Sequence, residues 1–368
     1  MTTRREFITL SAAVLAAQAV GLKPLAAAQA PLRILVLGGT GFLGPHEVNY
    51  ALERGHTVTI FNRGRNAGFF GDSVEELVGD RDKQVGAGLA ALEGDRRWDV
   101  VIDNSGYIPR HVQDSAELLK DRCDRYIYIS TVAVYDFSSG TVFSEESKLA
   151  PLDDKSIEEV NGRTYGPLKA ECDRIVRQIL GDRCTVVRPT YVVGPGDHTD
   201  RFTYWVDRVH RGGEVLAPGL PQNVAQWVDV RDLCPWIITL AENDTPGVFN
   251  AAGPSSTMTR DGLMWGLRAQ TANPVEFFWP SVSLLEELNF NTPMMSPDRS
   301  ARFTNRASMA AGLHYRSLTD TASGTLEWWQ AQSDERRANA RNWPSPEKER
   351  EAIERLKKAA GDAPGSAG

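Results

Sequence analysis

The chain has 368 residues and a formal net charge of −7, long enough for one large core or two lobes. An acidic balance argues against generic nucleic-acid binding, which wants a basic footprint. The four cysteines (Cys123, Cys172, Cys184, Cys234) and six scattered histidines lack ligand spacing, so no metal site is expected and the thiols read as buried and structural.

The chain opens on an export signature. Thr3-Arg4-Arg5-Glu6-Phe7 has the twin-arginine pattern, and the apolar run 8–21 behind it is shorter than the about 20 residues a bilayer span takes. Lys23 and Ala28-Gln29-Ala30 then give a small-x-small cleavage site. Residues 1–30 are therefore expected to be removed after use by the twin-arginine translocase. The product is a periplasmic or secreted protein with no membrane span after processing. The bland alternative is a frayed, Ala-rich helix.

Residues 33–44, RILVLGGTGFLG, follow. The apolar run 34–37 ends in glycines 38, 41 and 44, and an amphipathic segment, 46–52, comes next. This strand–turn–helix context holds a dinucleotide pyrophosphate. Gly38 lets the chain turn, Gly41 lets backbone N–H groups reach the phosphates, and Gly44 lets helix pack on strand. The expected cradle is Gly38, Thr40, Gly41, Phe42, Leu43 and Gly44, aided by the positive end of the helix dipole. The second strand runs into Asn62-Arg63-Gly64-Arg65, where an NAD-selective site offers an acid. Two arginines suit a 2′-phosphate instead, so Asn62, Arg63 and Arg65 point to NADP over NAD. Solvated loop arginines are the alternative.

Apolar runs at 57–61, 100–102, 126–129, 185–187 and 248–249 alternate with amphipathic segments such as 112–120 and 168–180. That order predicts an α/β fold with a doubly wound parallel sheet and ligands at the strands' carboxyl ends. Tyr165-Gly-Pro-Leu-Lys169 sets a phenol and an ammonium one helical turn apart. A phenol near pKa 10 becomes a usable base when a cation stabilises its phenolate. Thr131, just past the run 126–129, can hold a substrate oxygen. Trp205, Trp227 and Trp279 either stack on a sugar or fill a core. From about residue 344 the chain is highly charged and reads as an exposed helix and loose tail.

These motifs resemble the extended short-chain dehydrogenase/reductase family, in its epimerase and dehydratase branch. GGTGFLG at 38–44, GDR at 79–81, STVAVY at 130–135, YGPLK at 165–169, RPTYVVGPGD at 188–197, WVDVRDL at 227–233 and FNAAG at 249–253 occur in the family's order. The resemblance implies that Asp80, beside Arg81, bonds the adenine and that Ser105, Gly106 and Pro189 line the dinucleotide. It gives Thr131, Tyr165 and Lys169 the catalytic places, with Lys169 also on the nicotinamide ribose. Tyr107, Thr131, Tyr191 and Trp227 become substrate contacts. It further implies a Rossmann domain over 31–195, with 224–253 returning to it. A substrate lobe follows over 196–223 and 254–335, then a charged helix and flexible tail over 336–368. A homodimer is the family's common assembly.

Two departures narrow the chemistry. Sugar dehydratases of the family carry Asp-Glu directly after the catalytic Thr, and this chain has Val132-Ala133. Nucleotide-sugar epimerases carry Asn and Arg where this chain has Tyr191 and Ala225, which argues against a nucleoside-diphosphate handle unless Arg201 or Arg208 replaces it. Three readings remain. One is an NADP-dependent, redox-neutral epimerase or isomerase of a free sugar or related hydroxy compound. The second is a net dehydrogenase or reductase of a small carbonyl or alcohol. The third is a non-catalytic dinucleotide- or RNA-binding relative, against which the complete Thr131, Tyr165, Lys169 set argues.

Overall fold

A computed structural model describes residues 30–296 and 300–361. The segment expected to carry the export signal, through residue 29, and the tail from 362 lie outside the described residues. Strands β1 (Arg33–Leu37), β2 (Thr57–Asn62), β3 (Glu75–Val78), β4 (Trp98–Asp103), β5 (Cys123–Ile129), β6 (Cys184–Pro189) and β7 (Gly247–Ala251) form one sheet, in the order β7-β6-β5-β4-β1-β2-β3. Every pairing in it is parallel. The order reverses at β1, which pairs with β2 on one side and β4 on the other, and the crevice at that reversal is where such sheets bind ligands.

Helices α1 (Leu43–Glu53), α2 (Pro109–Leu119), α3 (Tyr165–Leu180) and α4 (Val230–Glu242) cover the sheet, α1 with α4 on one face and α2 with α3 on the other. Alternate residues of β1 serve both faces. Ile34 and Val36 pack with Val48, Ala51 and Leu233, while Leu35 and Leu37 pack with Val112, Ala116 and Val176. A strand buried on both faces reads as an unbroken apolar run, which is why these strands are visible in the sequence.

A second lobe surrounds a mixed sheet of residues Tyr191–Val193, Val224–Asp229 and Gly253–Thr259. Chain 224–229 thus belongs to the lobe, and the return to the parallel sheet begins with α4 and β7. Helices Arg201–Arg211, Arg260–Arg268 and Leu318–Gln330 close the lobe around a core that includes Phe202, Trp205, Trp227 and Leu263. Helix Pro346–Gly361 departs from the expectation of an exposed element. Ala352 and Ile353 are buried against Leu216, Leu285 and Phe290, while Glu349 accepts bonds from Arg208 Nε at 2.9 Å and Leu216 N at 3.1 Å. Apolar positions 352 and 353 on one side of a charged helix are a weak signal, and only the lobe's hydrophobic surface gives them a partner. All four cysteines are buried free thiols. Among the described residues, no helix is long and apolar enough to cross a membrane.

Candidate active site

The carboxyl ends of the parallel strands and the facing lobe enclose a cavity of about 990 Å³. At one end the β1–α1 turn forms a cradle. Gly38 adopts φ +94°, a conformation side chains resist, and its N–H bonds the Phe61 carbonyl at 2.9 Å. Gly38, Thr40, Gly41, Phe42 and Leu43 line the cavity. Gly44 does not line it. A Cβ there would stand 2.2 Å from the Gly39 carbonyl oxygen, so this glycine seats α1 against the turn.

Asn62, Arg63, Arg65, Asp80, Ser105 and Pro189 line the same end. Asn62 Oδ1 accepts from Gly64 N at 2.7 Å, which folds the loop back, and its buried Nδ2 lacks a partner. Arg63 and Arg65 are exposed. The glycine cradle, the orphaned Asn62 amide and the cationic loop fit a dinucleotide. Arg81, expected with Asp80 among the cofactor residues, lines the cavity as well. Its guanidinium is committed to the Asp103 carboxylate, with Nη2 donating to Asp103 Oδ2 at 2.9 Å and to Ser115 Oγ at 2.6 Å. Burial disfavours the Asp103 carboxylate, yet Arg81 holds it below the ordinary range. Gly106 stands behind the wall. A Cβ there would meet the Tyr128 ring at 2.7 Å, and its carbonyl accepts from Tyr128 Oη at 2.8 Å.

The catalytic candidates meet in mid-cavity. Thr131 follows β5 by two residues and caps a short turn by accepting from Ala133 N at 3.2 Å. Tyr165 is the first residue of α3, and Lys169 lies one turn on. Both line the cavity with Thr131, Val132 and Ala133. Gly166, passed over in the sequence, makes this meeting sterically feasible. A Cβ there would lie 2.4 Å from the Ala133 carbonyl, so only glycine lets the start of α3 close on that turn. A glycine directly after the tyrosine was the available signal.

Lys169 Nζ is buried and donates to Gly106 O and Ile129 O, both at 2.7 Å. Burial lowers its pKa to about 8. Burial pushes the Tyr165 phenol up to about 12, the neighbouring Tyr107 adding to the rise and the Thr131 hydroxyl and Arg201 opposing it. Tyr107 and Tyr191 line the cavity as expected. Trp227 does not. It stacks on Phe202 with ring centres 5.9 Å apart in the lobe core, so its expected substrate contact is replaced by a packing role. Trp205 is fully buried there and Trp279 packs against it. Of the two arginines able to replace a lost diphosphate contact, Arg208 is bound to Glu349 and the carbonyl of Gly212, whereas Arg201 lines the cavity.

The profile of the NAD dependent epimerase/dehydratase family matches residues 34–252, from β1 through β7 and therefore every motif above. The chain belongs to this family. The family and the solved neighbours indicate an epimerase- or oxidoreductase-type enzyme with a nicotinamide dinucleotide site. Solved structures share the fold of this epimerase/dehydratase family member. The Bordetella bronchiseptica enzyme WbmG, solved with NAD and UDP, has a TM-score of 0.59 at 15% identity, covering 82% of this chain and 96% of that one. The dTDP-glucose 4,6-dehydratase of Bacillus anthracis, solved with NAD, has a TM-score of 0.60 at 18% identity, covering 83% and 98%. The chloroplast stem-loop binding protein of 41 kDa b of Arabidopsis thaliana is 26% identical over 249 residues, 63% of this chain. That match spans only 61% of the plant protein.

Proposed function

We propose that this family member is an NADP-dependent epimerase or isomerase of a free sugar or related hydroxy compound, and that it retains its dinucleotide through the cycle. The observation that carries the reading is the meeting of Thr131, Tyr165 and Lys169 on a wall whose next residues are Val132 and Ala133. Such a wall moves a proton on and off one oxygen but has no acid–base pair for eliminating water.

A bound nicotinamide would supply reversible hydride transfer at the carbon bearing that oxygen. Thr131 holds the substrate oxygen by a hydrogen bond. Tyr165 takes its proton and later gives it back. With the phenol raised to about 12, the phenolate needs nearby positive charge, and the Lys169 ammonium one turn away supplies it. The apolar Val132 and Ala133 side chains keep competing proton donors from the reacting carbon. Arg63 and Arg65 would hold the 2′-phosphate of NADP.

Export by the twin-arginine translocase, read from residues 1–30, supports a redox-neutral cycle, since an NADPH-recycling pool is a cytoplasmic resource. The decisive measurement is the cofactor content of protein purified after export. About one NADP(H) per chain is expected. Cofactor-free protein that consumes added NADPH mole for mole with substrate overturns the reading in favour of a net reductase.

A further inference from the structure

At the lobe end of the cavity the fold holds one cation ready. Arg201 opens helix Arg201–Arg211, and its guanidinium lies over the Tyr191 ring, 4.8 Å from the centre. Its Nε donates to Thr199 Oγ1 at 3.0 Å, and that hydroxyl donates to Asp197 Oδ1 at 2.6 Å. The stacked ring and the bonded Nε fix the plane of the guanidinium. The terminal nitrogens remain, and Arg201 forms no ion pair with any carboxylate among the described residues.

The backbone beneath it is fixed too. Asp200 sits at φ +55°, a conformation that persists only where its surroundings over-determine it. Those surroundings are residues 336–343. Arg336 Nη2 and Arg341 N donate to the Asp200 carboxylate at 2.5 and 2.7 Å, Trp343 Nε1 to its carbonyl at 3.1 Å, and Asn342 Nδ2 to Thr199 O at 2.9 Å. A segment expected to be a flexible tail thus straps the start of this helix in place. The arginine's charge also reaches the reaction centre, favouring the ionised Tyr165 phenol.

Other cations nearby are committed. Arg208 is paired with Glu349, while Arg260 Nη1 and Nη2 donate to the carbonyls of Pro218 and Ser296, each at 2.7 Å. A single planar edge with two N–H-bearing nitrogens matches one carboxylate in bidentate geometry. A diphosphate brings more negative charge than that edge neutralises. A phosphate monoester, at about −1.5 to −2, also exceeds it. Asp197 adds a complement: it is 1% exposed, lines the cavity, and its Oδ2 has no partner, which suits a hydroxyl donor.

Resting on the epimerase reading, we infer that the substrate is a small polyhydroxy monocarboxylate, a sugar acid, whose carboxylate docks on Arg201 and whose neighbouring hydroxyl donates to Asp197. The test uses full-length NADP-loaded Tyr165→Phe protein, which binds without turning over. Calorimetric titration compares C5 and C6 aldonic and uronic acids with their neutral parent sugars, with a sugar phosphate and with UDP-glucuronate. At least one acid should bind about tenfold or more tighter than its parent, the span of a charge-assisted bond. Arg201→Met should erase that preference while leaving neutral-sugar and NADP binding unchanged, and Arg201→Lys should restore part of it.

The inference fails if no acid exceeds its parent, if the phosphate or UDP-glucuronate binds tighter than every acid, or if Arg201→Met keeps the preference. Failure of the reaction assignment looks different. Acids would then bind through Arg201, while protein with Tyr165 intact forms no epimer from them.

Discussion

The two ends of the cavity are built in opposite ways. The dinucleotide end comes from chain that has just left a strand: the turn after β1, the loop after β2, Asp80 after β3 and Ser105 after β4. Each group is positioned by the strand before it. The lobe end gathers Tyr191, Asp197, Arg201 and Arg260, and residues 336–343 from far along the chain hold Asp200 at the start of the Arg201 helix. A sheet thus delivers its site locally, whereas a lobe must assemble its site through contacts that sequence order does not announce.

Four changes test this division. Tyr165→Phe should have the largest effect, lowering turnover by about 10²–10⁴-fold while NADPH titration by fluorescence shows unchanged affinity. An active variant would remove the catalytic assignment and leave only the binding site. Gly44→Ala comes next, because its Cβ would strike backbone atoms that cannot yield. A loss of about 3 kcal/mol or more is expected in denaturant unfolding, with loss of bound dinucleotide. Wild-type stability would show that α1 is free to shift away from the turn.

Glu47 probes the wall behind the cradle. It is fully buried on α1, accepts from Asn104 Nδ2 at 2.5 Å, and burial raises its carboxyl pKa from 4.5 to about 7. Between those values the folded protein keeps a proton that the unfolded chain has released. The stability that protonation provides is complete below pH 4.5 and is lost as pH rises through 7. Glu47→Gln should therefore match wild type at pH 4.5 and exceed it by pH 8, by on the order of 3 kcal/mol. Parallel pH profiles would show that Glu47 ionises normally. The smallest effect is expected from Arg63→Ala with Arg65→Ala. NADP affinity should fall about tenfold or more and NAD affinity little, and equal losses for both would remove the 2′-phosphate assignment.

The legibility of the chain follows the same line. The strands 57–61, 100–102 and 126–129, the glycine cradle and the Tyr165–Lys169 pair are readable because burial on both sheet faces and one-turn helical spacing leave periodic marks. Trp227 was ambiguous because an aromatic ring serves a core and a sugar face equally well, and only its stacking on Phe202 decides between them. Arg81 shares a motif with Asp80, yet the buried Asp103 claims it. Gly166 and the 336–343 strap carry little local signal, since each matters only through a surface brought to it from elsewhere in the chain.

By itself, then, the sequence determined the family, the parallel sheet, the glycine turn and the candidate trio of Thr131, Tyr165 and Lys169, because backbone turns and strand ends follow from local residue types. The tertiary structure decided which cations stay uncommitted. Arg81, Arg208 and Arg260 are drawn to buried carboxylates and carbonyls, while Arg201 is held over the Tyr191 ring and forms no ion pair among the described residues. Charge pairing depends on which groups burial brings within bonding distance, and that is set only when the whole chain has packed.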